Sequence, residues 1–313
     1  MKSRGAGTRA SLVLLAFVAL CAVPAPGAAQ SLMGMQRLAD GVYVYTDSDG
    51  GEDPATVSSL VVVTDDGVLV GDGLGRVGDL VESDAMATRL IAEIAKLTDQ
   101  PIRYLINCSW HPDHTNGNHV FAKAGAVIVG HRKALEGLLG YYQANPTIER
   151  APPELVFDDQ ISLFLGGKEI RVQFLGRAHT EGDAVIYIPS QRLVFGSEIF
   201  FNKQFPGLRS GYPSEWVGTL DRMLALDADI FVPGHGLVEN GGRLRSTAVQ
   251  MRDDLIGMRR EIKGYVDQGL TREQIMARKP LARHAELINA YRNLPIAVDR
   301  ILAELRGELG PAR

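Results

Sequence analysis

Apolar residues in the early part of this chain alternate weakly and then run in short blocks, which is the pattern of β-strands. Val42-Tyr43-Val44-Tyr45 is one such segment, and Leu60-Val61-Val62-Val63 and Val68-Leu69-Val70 flank an Asp66-Gly67 turn, predicting a hairpin over 58–72. The period then lengthens: between Leu80 and Leu97 apolar residues recur at helical spacing, with Ile91, Ile94, Ala95 and Leu97 on one side. Ile102 to Ile106 reads as a strand running into Asn107-Cys108-Ser109-Trp110-His111-Pro112-Asp113-His114. A helical piece, a strand over 126–129 and a helix from about Arg132 follow. Two more hairpins are predicted, 161–165 with 170–174 around Gly166-Gly167, and 184–188 with 192–195 around Pro189-Ser190. A helix over 220–226, a strand Ile230-Phe231-Val232 and a tight Pro233-Gly234-His235-Gly236 turn lead to long amphipathic helices from Gly241, one opened by a Thr271/Gln274 capping box. Gly140 to Pro153, with three prolines, reads as an exposed loop.

Strands, helices, strands and then helices, without a strict βαβ rhythm, predict an α/β chain in which two sheets are sandwiched between helix layers. The first 29 residues stand apart. Lys2, Arg4 and Arg9 precede an apolar run from Ala10 to Val23, and Gly27-Ala28-Ala29 offers small side chains to a signal peptidase. The run is too short for a stable membrane span, so the expectation is a leader cleaved before Gln30 and a periplasmic or secreted product without stable membrane insertion. Leu20 is bulky where a lipoprotein signal at Cys21 would need a small residue.

Removing the leader's three positive charges turns the net charge of −4 into −7, which argues against nucleic acid or an anionic membrane as the main partner. It also leaves Cys108 as the single cysteine, so no intramolecular disulfide can form.

Histidine is where chemistry concentrates. His111, Asp113 and His114 lie within four residues after one apolar strand, His179 follows a second, and His235, flanked by glycines, follows a third. Imidazole nitrogen and carboxylate oxygen are the preferred non-sulfur donors for zinc, and the same donors suit iron. A blander reading of the first group is a polar loop in which Asp113 caps the next helix. His119, His131 and His284 are read as non-ligands, with His119 the one placed to supply a missing donor. The aromatic residues Phe200, Phe201, Phe205, Tyr212 and Trp216 are read as core.

Ser109-Trp110-His111-Pro112-Asp113-His114 resembles the His-x-His-x-Asp-His signature of the metallo-β-lactamase superfamily, with Ser in place of the first His. Asp72 resembles the buried Asp that ends the family's first hairpin, His179 the third-motif ligand, Glu198 the metal-bridging Asp, and His235 the closing ligand. The resemblance implies an αββα four-layer sandwich over 30–240 with a helical C-terminal extension over 241–313. It also implies two metal half-sites: His111 and His179 in the first, Asp113, His114 and His235 in the second, with Glu198 between them. Because a serine hydroxyl is a poor zinc ligand, one Zn2+ is expected to be held tightly and a second weakly. The implied activity is that of a zinc hydrolase whose metal-bound water, with its pKa lowered to roughly 7, attacks a small ester, lactone, thioester or lactam. Asp113 is then both ligand and catalytic orienter, and Asp72 holds a loop or the far nitrogen of a histidine. Ser109 keeps a second reading open, a metal-poor, non-catalytic relative that binds a ligand or partner on the same fold.

Overall fold

Most strands of this chain are buried on both faces, and their two sets of side chains feed different cores. A computed structural model describes residues 33–48 and 56–310, which belong to one compact unit. The expected leader lies outside the described residues. One half of the sheet comprises β1 (Gly34–Ala39), β2 (Val42–Ser48), β3 (Thr56–Thr64), β4 (Gly67–Gly71), β5 (Ile102–Asn107), β6 (Val127–His131) and β7 (Leu155–Phe157). The other comprises β8 (Gln160–Leu165), β9 (Lys168–Phe174), β10 (Ala184–Ile188), β11 (Leu193–Phe201) and β12 (Ile230–His235). Among the described residues the halves join at a single pair, His235 of β12 opposite Val57 of β3, at a level where β4 has already ended.

Period-two alternation decides which core each side chain enters. Leu60 and Val62 of β3, Leu69 of β4 and Ile106 of β5 meet Ile170, Val172, Ile186, Phe195 and Val232 between the two halves. Their neighbours Val57, Val61, Val68, Val70 and Leu105 face the other way, onto α1 (Leu80–Ala95) and α3 (Asn118–Lys123) through Met86, Leu90, Ile94 and Phe121. On the far side, Val185, Val194, Ile199 and Phe231 pack under α5 (Pro213–Leu224), α6 (Arg245–Asp267) and α8 (Ala290–Leu305). The result is helix, sheet, sheet, helix: the four-layer α/β sandwich. The capping box at Thr271 opens α7 (Arg272–Ala277), with both of its hydrogen bonds formed.

Two expectations need correcting. The buried stripe of α1 is Ser83, Met86, Ala87, Leu90 and Ile94, while Ala95 and Leu97 are exposed. The stripe runs through the small residues Ser83 and Ala87, which a search for large apolar side chains passes over. Gly140 to Pro153 is a loop only from Asn145, and it is exposed only in part. Helix α4 (Arg132–Ala144) enters it, Ile148 and Ala151 are buried, and the Ala151 N–H donates to Tyr142 Oη at 3.3 Å. The prolines there end a helix beneath which apolar residues are packed.

The C-terminal helices share a core with the sandwich. Ala297, Val298 and Ile301 of α8 are buried in the same cluster as Phe200 and Trp216. Arg300 also donates to the carbonyls of Gly211 at 2.6 Å and Ser210 at 3.3 Å, and Glu304 accepts from the Ser214 N–H and hydroxyl at the start of α5. Ile301→Ala should therefore destabilise the whole sandwich by about 2–5 kcal/mol, the range for emptying a buried aliphatic site. Urea unfolding should show one transition at a lower midpoint; two transitions, with only the first shifted, would mark the tail as an independent unit.

Candidate metal centre

The candidate donors other than Glu198 sit at or beyond strand ends near where the two half-sheets meet. The β5 strand delivers Cys108 to His111, and Pro112 starts the short helix α2 (Pro112–Thr115), which carries Asp113 and His114. His179 lies in the loop after β9, Glu198 within the fully buried β11, and His235 is the last residue of β12. Gly236 then turns away at φ +85°, packed against the Asn202 carbonyl where a Cβ has no room. The loop around His179 is tied by Asp183, which accepts from the Thr180 N–H and hydroxyl. Burial pushes the Asp183 carboxyl up to about 6. Behind the rings, Phe201 packs on His235 and His179, and Trp216 on His179, with centroids 4.9, 5.6 and 5.4 Å apart. Phe200, Phe205 and Tyr212 are core as well.

The hydrogen bonds fix the tautomers. Asp72 accepts from the Cys108 N–H at 2.9 Å and from the Ser197 hydroxyl at 2.5 Å, and its Oδ2 lies 3.0 Å from His114 Nδ1. His235 Nδ1 lies 2.7 Å from the Thr56 carbonyl oxygen. Carboxylates and carbonyls only accept, so both Nδ1 atoms carry the proton and a neutral ring leaves a lone pair on each Nε2. Those two Nε2 atoms face each other at 3.2 Å. Glu198 Oε1 is 2.6 Å from the first and 3.0 Å from the second, and Asp113 Oδ2 is 3.6 and 3.3 Å away. Four lone-pair atoms converge on one point, an arrangement that needs a cation.

Without a metal, protons must supply that charge. Burial opposes protonation of His235 and His114, yet Glu198 and Asp113 drive His235 up to about 10, and Asp113, Asp72 and Glu198 hold His114 well above its usual range. Burial likewise works against ionised Asp113, but His114 and His235 bring it down to about 2; Glu198 is held well below the usual carboxylate range against its burial by His179, His114 and His235.

A second group abuts the first. His179 Nε2 lies 2.9 Å from His111 Nδ1 and 2.8 Å from Glu198 Oε2, a buried oxygen with no aligned hydrogen bond. Burial, helped by the charge of His179, pushes His111 down to about 4, leaving a neutral donor. Asp113, His114, Glu198 and His235 therefore form one set of potential ligands, and His111, His179 and Glu198 another, with one oxygen of Glu198 serving each. The nitrogen and carboxylate donors of both sets fit zinc.

Ser109 is buried, and its hydroxyl accepts a long 3.4 Å bond from the His111 N–H instead of joining the donor atoms. His119 does not replace it: its Nε2 is paired with Asp84 of α1 at 3.1 Å. His131 stacks on Phe174 with centroids 4.2 Å apart, and His284 accepts from Arg283; neither joins a donor set. Cys108 contributes its backbone N–H to Asp72, while burial raises its thiol well above the ordinary value. Ser197 and the Thr56 carbonyl are functional partners that sequence reasoning missed. A serine beside Glu198 and a main-chain oxygen carry no sequence signal.

Comparison with known proteins agrees with this geometry. Residues 53–235 match the model of the metallo-beta-lactamase superfamily. The chain is 24% identical over 257 residues to a linear primary-alkylsulfatase from a Pseudomonas sp., covering 66% of this chain and 48% of that protein, so it spans about half the length of that relative. It is 22% identical over 210 residues to a type 2 metallo-beta-lactamase from Bacteroides fragilis, covering 65% of this chain and 79% of the other. Among solved structures, a metallo-beta-lactamase from Pontibacter korlensis superposes with a TM-score of 0.58 at 20% identity, over 71% of this chain and 99% of that one. A stereoselective inverting sec-alkylsulfatase from a Pseudomonas sp. superposes with a TM-score of 0.66 at 17% identity, over 87% of this chain and 50% of the other. With a family match across more than half its residues, on a four-layer sandwich whose strand ends gather these donors, this chain belongs to the metallo-β-lactamase superfamily.

Proposed function

We propose that this chain is an exported, zinc-dependent hydrolase of a small ester, lactone, thioester or lactam, to which the likeness to an alkylsulfatase adds sulfate esters. The observation that carries the reading is Glu198, one buried carboxylate whose two oxygens face two histidine groups. Asp113, His114, Glu198 and His235 would hold the tighter ion, and His111, His179 and Glu198 a weaker one, because Ser109 withholds a donor. A bound zinc supplies a Lewis acid for the ester or carbonyl oxygen and lowers the pKa of a water to roughly 7. The chain's own residues do the rest. Asp113, ionised and with 17% of its side chain exposed, would accept a hydrogen bond from the attacking water and orient it toward the substrate. Asp72 keeps His114 in the tautomer that presents Nε2, and Thr56 does the same for His235. Phe201 and Trp216 exclude water from behind the rings.

Asp113→Ala and His235→Ala should each cut hydrolysis of an ester, lactam and alkyl-sulfate panel by at least about 100-fold and weaken metal binding, while His284→Ala does neither. Wild-type turnover surviving in Asp113→Ala would remove the central residue of this reading.

Exhaustively dialysed protein should retain about one equivalent of zinc by elemental analysis and take up a second only on titration. In Ser109→His the second equivalent should bind more tightly, and in Asp72→Ala total zinc affinity should fall about 10- to 100-fold. Iron as the retained metal, or no metal in either state, would redirect the assignment.

The export component is checked by N-terminal sequencing of the mature protein, expected to begin at Gln30. Recovery of intact Met1 from soluble cytoplasm would contradict it.

A further inference from the structure

The donor clusters reach solvent on one side. His114, His179, Glu198 and His235 are buried, whereas His111 and Asp113 are partly exposed, so a substrate approaches along the segment Trp110 to Asp113. What lines that approach is apolar. The Trp110 ring meets His111 edge-on, with centroids 4.6 Å apart, and its other flank lies on α4, where a Cβ added at Gly137 would come within 2.7 Å of the indole. One helical turn on, Tyr141 joins Trp110 and Leu80 on a small core of Leu138, Tyr142 and Ile148. Leu80 begins α1, flanked by Val77 and Val81, which are 69% and 83% exposed. The loop ahead of it is pressed onto the metal-binding segment, since Gly75 packs against the Pro112 carbonyl with no room for a Cβ.

The charge pattern points the same way. Burial raises the Tyr141 phenol, with a side-chain hydrogen bond from Asn116 opposing that shift and the Asp113 charge adding to it, so the ring stays neutral. None of Val77, Leu80, Val81, Trp110 and Tyr141 carries a formal charge at neutral pH. Leu80, Trp110 and Tyr141 are each only partly buried, so together they leave an apolar face beside His111.

The geometry points to an acyl, alkyl or aryl substituent of the substrate as the cover for that face: Leu80, Trp110 and Tyr141 form a subsite selecting esters with an extended apolar group over short ones. This rests on the hydrolase reading and names the substrate class for it. A chain that lies along this wall leaves its polar end at His111 and Asp113, where hydrolysis takes place. Each further methylene covered should improve binding by about two- to fourfold until the wall is full.

Straight-chain carboxylates from acetate to octanoate, product-like probes that need no turnover, test the subsite by calorimetric titration into zinc-loaded full-length protein. The matching esters, read as kcat/KM, give a second series. Affinity should climb with chain length in the wild type, and the octanoate-to-acetate ratio should fall at least fivefold in Leu80→Asn and in Tyr141→Ser. The two variants sit on different helices, so failure of one to fold leaves the other to report. A flat wild-type series with acetate bound and esters hydrolysed overturns the subsite and leaves the hydrolase intact. A steep series unchanged in both variants places the apolar contact elsewhere and also overturns it. If no carboxylate binds and no ester is hydrolysed, the hydrolase reading fails and the subsite falls with it.

Discussion

Two imidazole nitrogens that cannot satisfy each other govern this structure. His114 and His235 each use Nδ1 as a donor to a buried acceptor, which leaves each neutral ring with an Nε2 lone pair, the two 3.2 Å apart. Adding Glu198 and Asp113 to the same point makes a pocket of negative potential in a region from which water is largely excluded. Placing like lone pairs together in a low-dielectric interior is unfavourable unless positive charge sits among them. The cluster is therefore a local conflict that the fold maintains, and its resolution by a cation is the chemical content of the site.

The sandwich maintains the conflict by putting it at its weakest seam. Within each half-sheet strands are paired over several residues, but across the seam only His235 and Val57 pair among the described residues. A candidate ligand is thus also the joint between halves. Asp72 and Ser197 reinforce it from either side, one following β4 and the other in β11, hydrogen-bonded to each other and both at positive φ, 67° and 44°. Non-glycine residues in that region carry backbone strain, and strain of this kind persists where surrounding structure holds it for a purpose. Here the purpose is to aim a carboxylate at the far nitrogen of His114.

Much of this was legible in the sequence because both signals are local. The apolar blocks Leu60 to Val63 and Val68 to Val70 around Asp66-Gly67 marked the central hairpin, and the His111-Pro112-Asp113-His114 run after an apolar strand marked the donors. Order along the chain linked His179, Glu198 and His235 to them through a family resemblance. The less legible features depend on what the fold brings together. Helix α1 turns its small residues Ser83 and Ala87 inward because they pack closely, which no hydrophobicity pattern announces. The segment after Tyr142 is anchored at Ile148 and Ala151, which are buried among exposed residues despite three prolines. His119 stood near enough in sequence to be a spare ligand, but α3 turns it toward Asp84. Glu198 could be placed between two metals only by analogy; that each oxygen faces a different histidine group is a three-dimensional fact.

The grip of α8 on the segment before α5 has a consequence for biosynthesis. Arg300 holds the carbonyls of Ser210 and Gly211, and the same short segment leans over the centre, with Gly207 so near His179 that a Cβ would sit 3.0 Å from the imidazole Cε1. Tyr212 extends the tie, its N–H donating to the Ala178 carbonyl beside His179. Arg300 follows every candidate donor in the chain, so a product cut short before α8 carries all six of them while the wall over His179 is unsecured. The His111–His179 half of the centre is thus the part that early termination would spoil first.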